Sequence, residues 1–196
     1  MVLAVRITYV GELGWELHVP PSQALLLYEA LQQAGADLGL ANAGHYAINS
    51  LRLEKAYRAW GADLSPEDTP LEAGLAFAVA WDKPRGFTGR SALLRQKKSG
   101  PRRRLACLVL DDPGPLLWGG EPILRNGIPV GHTTSGSYGH TLGAAVGLGY
   151  LRNPAGPASR DWVAAGSYTV VIDGNPVPAT AHLQAPYDPA RTRILA

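Results

Sequence analysis

Arg6-Ile7-Thr8-Tyr9-Val10-Gly11-Glu12-Leu13-Gly14-Trp15-Glu16-Leu17-His18-Val19 is the stretch on which the reading of this chain turns. Val5, Ile7 and Tyr9 alternate with Arg6 and Thr8, the period-2 pattern of a strand with one buried face. Trp15, Leu17 and Val19 alternate with Glu16 and His18 in the same way. The spacing predicts two extended segments folded about Gly11-Glu12-Leu13-Gly14, whose glycines can take the left-handed backbone of a tight connection. Such a hairpin carries the Glu12 carboxylate at its tip, near Tyr9 and Trp15. By pattern alone, a solvated turn glutamate is the plainer reading.

Outward from this stretch, the composition narrows the classes. At 196 residues with 46% hydrophobic content, the chain fits one large or two small globular domains. No apolar run approaches the ~20 residues of a membrane-spanning helix, and the first residues lack a signal-peptide layout. The single cysteine, Cys107, excludes an internal disulfide and reads as an inert core thiol. No zinc-ligand spacing is present, and no metal is expected. A formal charge of +2 gives no argument for nucleic acid or membrane as a partner.

The elements follow in order. Ser22 reads as the N-cap of a helix whose Ala24, Leu27, Leu31 and Ala34 share a face, closed by Gly35 and laid over the hairpin. A second helix is predicted from about Ala43 to Trp60, stopped by Gly61, with Tyr46, Leu53, Tyr57 and Trp60 as a core-packing stripe. Arg52 lies off that stripe, on a face with His45, Asn49, Ala56 and Ala59. Taken alone it reads as exposed, yet a planar guanidinium can also grip a carboxylate or carbonyl through parallel bonds. Asp63 to Leu71 reads as a solvated polar loop, Leu75 to Trp81 as a buried strand, and Thr88 as the cap of a short helix through Lys97.

The basic segment Arg90, Arg95, Lys97, Lys98 and Arg102-Arg103-Arg104 admits a nucleic-acid patch. Without stacking aromatics nearby it reads instead as a solvated helix end and interdomain linker. The remainder predicts five or six short antiparallel strands. Leu105 to Leu110 is continuously apolar, Asn126-Gly127 and Asp173-Gly174 are hairpin turns, and Ala144 to Leu151 is a further strand. These suggest a small barrel or jelly roll. Glu67, Asp68 and Glu72 lack a nucleophile or metal partner and read as loop acids. Ser135, Ser137, His132 and His140 lack a nucleophile elbow, and Gly143, Gly147 and Gly149 lack the strand-to-helix turn of a dinucleotide site.

Three motifs carry a resemblance. Gly11-Glu12-Leu13-Gly14-Trp15-Glu16, Ser50-Leu51-Arg52-Leu53-Glu54 and Thr69-Pro70-Leu71-Glu72-Ala73-Gly74-Leu75 are similar to runs of the glycine-cleavage T-protein (aminomethyltransferase) family. The wording of Glu54 to Leu64 is nearer its sarcosine and dimethylglycine dehydrogenase branch. The resemblance covers nearly the whole chain but only about the C-terminal half of the family's module, so a fragment of a longer protein is expected.

The resemblance implies tetrahydrofolate as cofactor and one-carbon transfer from a small amine-derived donor. Glu12 would hold the pterin and Arg52 would line the folate site. Tyr187, in Ala185-Pro186-Tyr187-Asp188-Pro189, stands near the family's C-terminal folate-contacting tyrosine, though at the position of a packing aromatic. The family's catalytic aspartate lies in the half not represented here, and no residue of this chain replaces it. FAD would belong only to an upstream domain of the same protein. A non-catalytic regulatory role, like that of the pyruvate dehydrogenase phosphatase regulatory subunit, or a stand-alone T-protein fragment, remains the alternative. The expected fold is α+β, with a folate-binding portion over 1–100 and a C-terminal antiparallel β-barrel over 101–196. The location implied is cytoplasmic, or the mitochondrial matrix in a eukaryote.

Overall fold

The computed structural model describes residues 1–196. Strands β1 (Leu3–Val5) and β2 (Glu16–His18) pair antiparallel, with Leu3 opposite His18 and Val5 opposite Glu16. Helices α1 (Ala24–Gly35), α2 (His45–Glu54) and α3 (Arg90–Ser99) follow. Strands β3 (Arg103–Leu110), β4 (Pro122–Arg125), β5 (Ile128–Gly139) and β6 (Ala144–Arg152) come next, then a short helix α4 (Arg160–Ala164) and strands β7 (Tyr168–Ile172) and β8 (Asn175–His182). The last six strands close into an antiparallel barrel in the order β3-β6-β5-β4-β7-β8, with β8 returning to β3. The fold is therefore α+β with a closed barrel.

The barrel follows from its turns and its small residues. Asn126-Gly127 and Asp173-Gly174 all take left-handed backbone, with φ of 51°, 78°, 50° and 80°, which is what a two-residue type I′ turn requires. Where strands cross most closely there is no room for a side chain. A Cβ on Gly131 would lie 1.9 Å from the Tyr150 carbonyl oxygen, and one on Gly149 would lie 2.6 Å from Ile123 Cδ1. The lumen is filled by thirteen buried residues, among them Leu108, Leu110, Ile123, Leu151 and Val170. Helix α4 stoppers one end: Ser159 Oγ accepts from the Trp162 amide, and Val163 joins the lumen cluster.

Helix α2 docks on the outer face of this barrel. Leu53 and Ala56 pack with Leu105, Cys107, Val146 and Leu148. Cys107 lies at the centre of that joint, and burial raises its thiol pKa to about 12, as expected of an inert core thiol.

Several expected elements are shorter or absent. Ile7 and Tyr9 leave the β1–β2 ladder because the Thr8 hydroxyl accepts the Val10 and Gly11 amides and turns the chain early. Ser22 lies in a 3₁₀ turn (Pro21–Gln23) and caps nothing; the left-handed residue after α1 is Gly39, not Gly35. Helix α1 does not cover the hairpin: its main contacts are the 3₁₀ turns at its own ends, and Leu25, Leu26, Tyr28 and Leu31 are exposed. Helix α2 ends at Glu54, six residues before the expected Trp60, with Ala56 left-handed and the Tyr57 amide bonded back to the Arg52 carbonyl. The aromatic stripe is thereby broken, leaving Leu53 in the core and Tyr46 and Trp60 exposed. Leu75 to Trp81 forms a 3₁₀ turn (Ala76–Ala78) rather than a strand, and Gly89, not Thr88, precedes α3.

Candidate functional site

Two polar centres join the opening segment to the barrel. The first is built on Arg52 and Asp63, whose side chains are 4% and 0% exposed. Arg52 Nη1 reaches Asp63 Oδ2 at 2.5 Å and the Tyr57 carbonyl at 3.0 Å. Its Nε and Nη2 donate to Asn49 Oδ1 at 2.9 and 2.8 Å, and Nη2 also donates to Ser135 Oγ at 2.9 Å. Each of the guanidinium's five N–H donors thus has a protein acceptor. Asp63 accepts further from the Ala59 amide and the Thr134 hydroxyl. A buried ion pair stays ionised only when its remaining lone pairs and protons are satisfied in this way. Arg52 therefore braces α2 against β5 and offers no free donor to a ligand. Asp63, expected in a solvated loop, is the partner that makes this possible.

The second centre is built on Glu12. Its loop is seated by Gly11, which has φ of 82° and a built Cβ only 2.2 Å from Lys55 Cγ, so glycine is required twice over. The Tyr187 hydroxyl donates to Glu12 Oε1 at 2.7 Å, and Arg193 Nε donates to Oε2 at 3.1 Å. The Glu12 side chain remains 38% exposed. A carboxylate has about four lone-pair sites, and two are taken by Tyr187 and Arg193. The other two have no protein donor. The hydrogen bond to Glu12 raises the Tyr187 phenol pKa and that of Arg193.

Glu12 and Tyr187 thus meet, 175 residues apart in sequence, while Arg52 stands in the neighbouring centre. Tyr9 ties the opening bend to the residues after α2: its hydroxyl donates to the Arg58 carbonyl at 2.9 Å and its ring stacks on Tyr57 with centroids 6.1 Å apart. A cavity of about 530 Å³ runs between the Thr8–Tyr9 bend, the α2 end and the barrel, lined also by Leu75, Phe77, Leu105 and His182. Burial lowers the His182 imidazole pKa and raises the Tyr9 phenol pKa.

The C-terminal tail is locked by Asp188. Burial alone would raise its carboxyl pKa, but bonds from the Thr192 hydroxyl and amide, the Arg193 amide and the Lys55 ammonium hold it at about 2. Glu54 is fully buried, with Oε1 accepting the Thr141 and Leu142 amides at 2.7 and 2.8 Å; it clamps the β5–β6 turn. Sequence reasoning missed Lys55, Asp63, Asp188 and Arg193 because no spacing pattern links them; each acts with residues far along the chain.

The basic segment is more structured than a solvated linker. Arg103 and Arg104 open β3; Arg103 pairs with Asp68 at 2.8 Å and Glu72 at 3.4 Å, and Arg104 donates to the Ala158 carbonyl. Aromatics do lie nearby, since Lys97 sits 4.4 Å from the Trp81 ring centre and Arg103 4.8 Å from that of Tyr150. Asp68 and Glu72 also accept from Ser65 and Thr69, closing turns in a segment that starts no helix.

A closed barrel with α2 docked on it and an acid-bearing loop tied to the barrel's tail defines an aminomethyltransferase-like module. The family model for the GCVT N-terminal domain matches residues 1–83, and that for the glycine cleavage T-protein C-terminal barrel domain matches residues 103–188. The chain belongs to the glycine cleavage T-protein family. It is 46% identical over 195 residues to the mitochondrial sarcosine dehydrogenase of Homo sapiens, covering 99% of this chain and 21% of that protein. It is 47% identical over 152 residues to the human mitochondrial dimethylglycine dehydrogenase, covering 76% of this chain and 17% of that one. The crystal structure of the glycine cleavage system aminomethyltransferase T from Bartonella henselae superposes with a TM-score of 0.79 at 28% identity, covering 93% of this chain and 48% of that one. The chain spans about a fifth of the length of the dehydrogenases it matches.

Proposed function

We propose that this chain is the tetrahydrofolate-binding, one-carbon (aminomethyl) transfer part of a protein like sarcosine or dimethylglycine dehydrogenase. The observation that carries this reading is the Glu12 carboxylate, oriented by Tyr187 and Arg193 and still offering lone pairs to solvent. A pterin presents an amino group and a ring N–H side by side, and a carboxylate accepts such a pair through two parallel bonds. Tyr187 holds the carboxylate through its hydroxyl. Arg52 serves at one remove: with Asp63 it sets the bend after α2 that carries Tyr57 against Tyr9. Tetrahydrofolate, when bound, supplies the nitrogens that take up the one-carbon unit. The chain's own residues bind and orient it, and none is assigned a proton-transfer role.

The donor in this reading is a small amine-derived one-carbon unit, FAD belongs to an upstream domain of the same protein, and the site is the cytoplasm or, in a eukaryote, the mitochondrial matrix. We divide the chain near residue 100, between α3 and β3. The test is Glu12→Gln. Losing a charge-assisted bond to the ligand costs about 1.5–3 kcal/mol, so tetrahydrofolate affinity by titration calorimetry is expected to fall tenfold or more with the fold intact. Equal affinities for variant and parent would remove Glu12 from the site.

A further inference from the structure

Lys55 follows directly on the last residue of α2, and its side chain is only 2% exposed. Its stem runs beneath the Glu12 loop, 2.2 Å (Cγ) and 2.5 Å (Cδ) from where a Gly11 Cβ would stand. Its ammonium donates to the Asp188 carbonyl at 2.7 Å and to Asp188 Oδ2 at 3.2 Å. The same ammonium lies 5.5 Å from the centre of the Tyr187 ring. One buried cation therefore touches the loop that presents Glu12, the carboxylate that locks the tail, and the ring whose hydroxyl holds Glu12. The backbone supports the same junction, since the Tyr187 amide donates to the Glu54 carbonyl at 3.1 Å.

The chemistry gives this arrangement a direction. A buried ammonium is tolerated only when paired, and Asp188 is its one carboxylate partner. Asp188 also gathers the Thr192 and Arg193 amides, so the ion pair sets the path of the tail through Tyr187 and Arg193. Both residues that donate to Glu12 sit on that tail.

We infer that Lys55 is the positioning residue of the Glu12–Tyr187 site, holding loop and tail in one register so that the carboxylate is oriented before a ligand arrives. The inference deepens the folate reading and, as regards the ligand, rests on it. Pre-ordering a site in this way raises affinity by removing the cost of ordering it on binding.

The test uses the 196-residue chain carrying Lys55→Met, Lys55→Arg or Asp188→Asn. Two quantities are measured: the titration of the Tyr187 phenol, by ultraviolet difference against Tyr187→Phe, and tetrahydrofolate affinity by calorimetry. In the parent, the bond to Glu12 holds the Tyr187 pKa above its ordinary value. Lys55→Met and Asp188→Asn are expected to return Tyr187 toward that ordinary value and to weaken tetrahydrofolate about tenfold, while Lys55→Arg, which keeps stem and charge, restores both. A merely structural lysine would lower stability and leave the Tyr187 titration unchanged; that result overturns the inference. Should Lys55→Met fail to fold, Asp188→Asn decides, because it cuts the same contact from the tail side. A parent chain that binds no tetrahydrofolate removes the folate reading, while the Tyr187 titration still judges Lys55.

Discussion

The barrel and the opening segment carry comparable apolar patterns but treat them differently. Within residues 1–44 only Gly11 and Gly35 are buried, and Leu3, Ile7, Trp15, Leu25, Leu26 and Leu31 are exposed. In the barrel, thirteen buried residues form one continuous lumen cluster, and the inward positions of β3, β6 and β7 are nearly free of solvent. An amphipathic pattern says which face of an element can be covered; a closed sheet supplies the cover from its own strands, and an isolated helix does not. The Arg52–Asp63 pair lies between α2 and β5, and the Lys55–Asp188 pair between the Glu12 loop and the tail, so each is satisfied only when separate parts of the chain meet.

The largest expected effect is on the joint. Asp63→Ala leaves the Arg52 guanidinium buried without its carboxylate, and removing one partner of such a pair typically costs about 3–5 kcal/mol. Urea denaturation measures it, and a loss below about 1 kcal/mol would mean that water already screens the pair. The next contrast is direct. Leu108→Ala, in the lumen, is expected to cost about 2–5 kcal/mol, whereas Leu26→Ala, on exposed α1, should stay within about 0.5 kcal/mol. Equal losses at the two positions would show that α1 is covered in solution, as by self-association, and sedimentation would then find a dimer.

Acid sharpens the comparison further. The folded Asp188 carboxyl pKa, held at about 2, lies below the value near 3.9 of an unfolded aspartate. Its contribution is complete above the unfolded value and is lost as pH falls through about 2. Between roughly pH 4 and 2 the tail should loosen before the barrel opens, and pepsin digestion should cut after Leu183 while residues 103–182 stay protected. Simultaneous loss of both would place the tail inside the barrel's cooperative unit. The smallest effect is at Cys107, whose thiol pKa near 12 and burial predict no reaction with a thiol reagent in the native state and prompt reaction in denaturant.

Local chemistry carried the barrel. Asn126-Gly127 and Asp173-Gly174 demand left-handed pairs, and a demand of that kind is readable within four residues. The Glu12 motif was legible for the same reason, its glycines being local requirements. Signals that compete locally misled: Thr8 diverts its own strand, and no glycine marks the end of α2, where left-handed Ala56 stands instead. The basic segment illustrates the same limit, since only folding brings Arg103 to Asp68 and Glu72.

What the sequence alone determined is the run of antiparallel strands, the turns of two of their hairpins and the place of Glu12 in a glycine-bracketed turn; closure into a barrel came from the fold. Turn residues, strand alternation and a family motif each act over a few positions, and so each survives without tertiary context. What only the tertiary structure decided is the fate of the charges. Arg52 became an internal brace because Asp63 and Ser135 enclose it, and Lys55 became a buried anchor because Asp188 returns to it from 133 residues away. A charge is buried or solvated according to whether a partner reaches it. That is a property of the folded chain, and no local pattern records it.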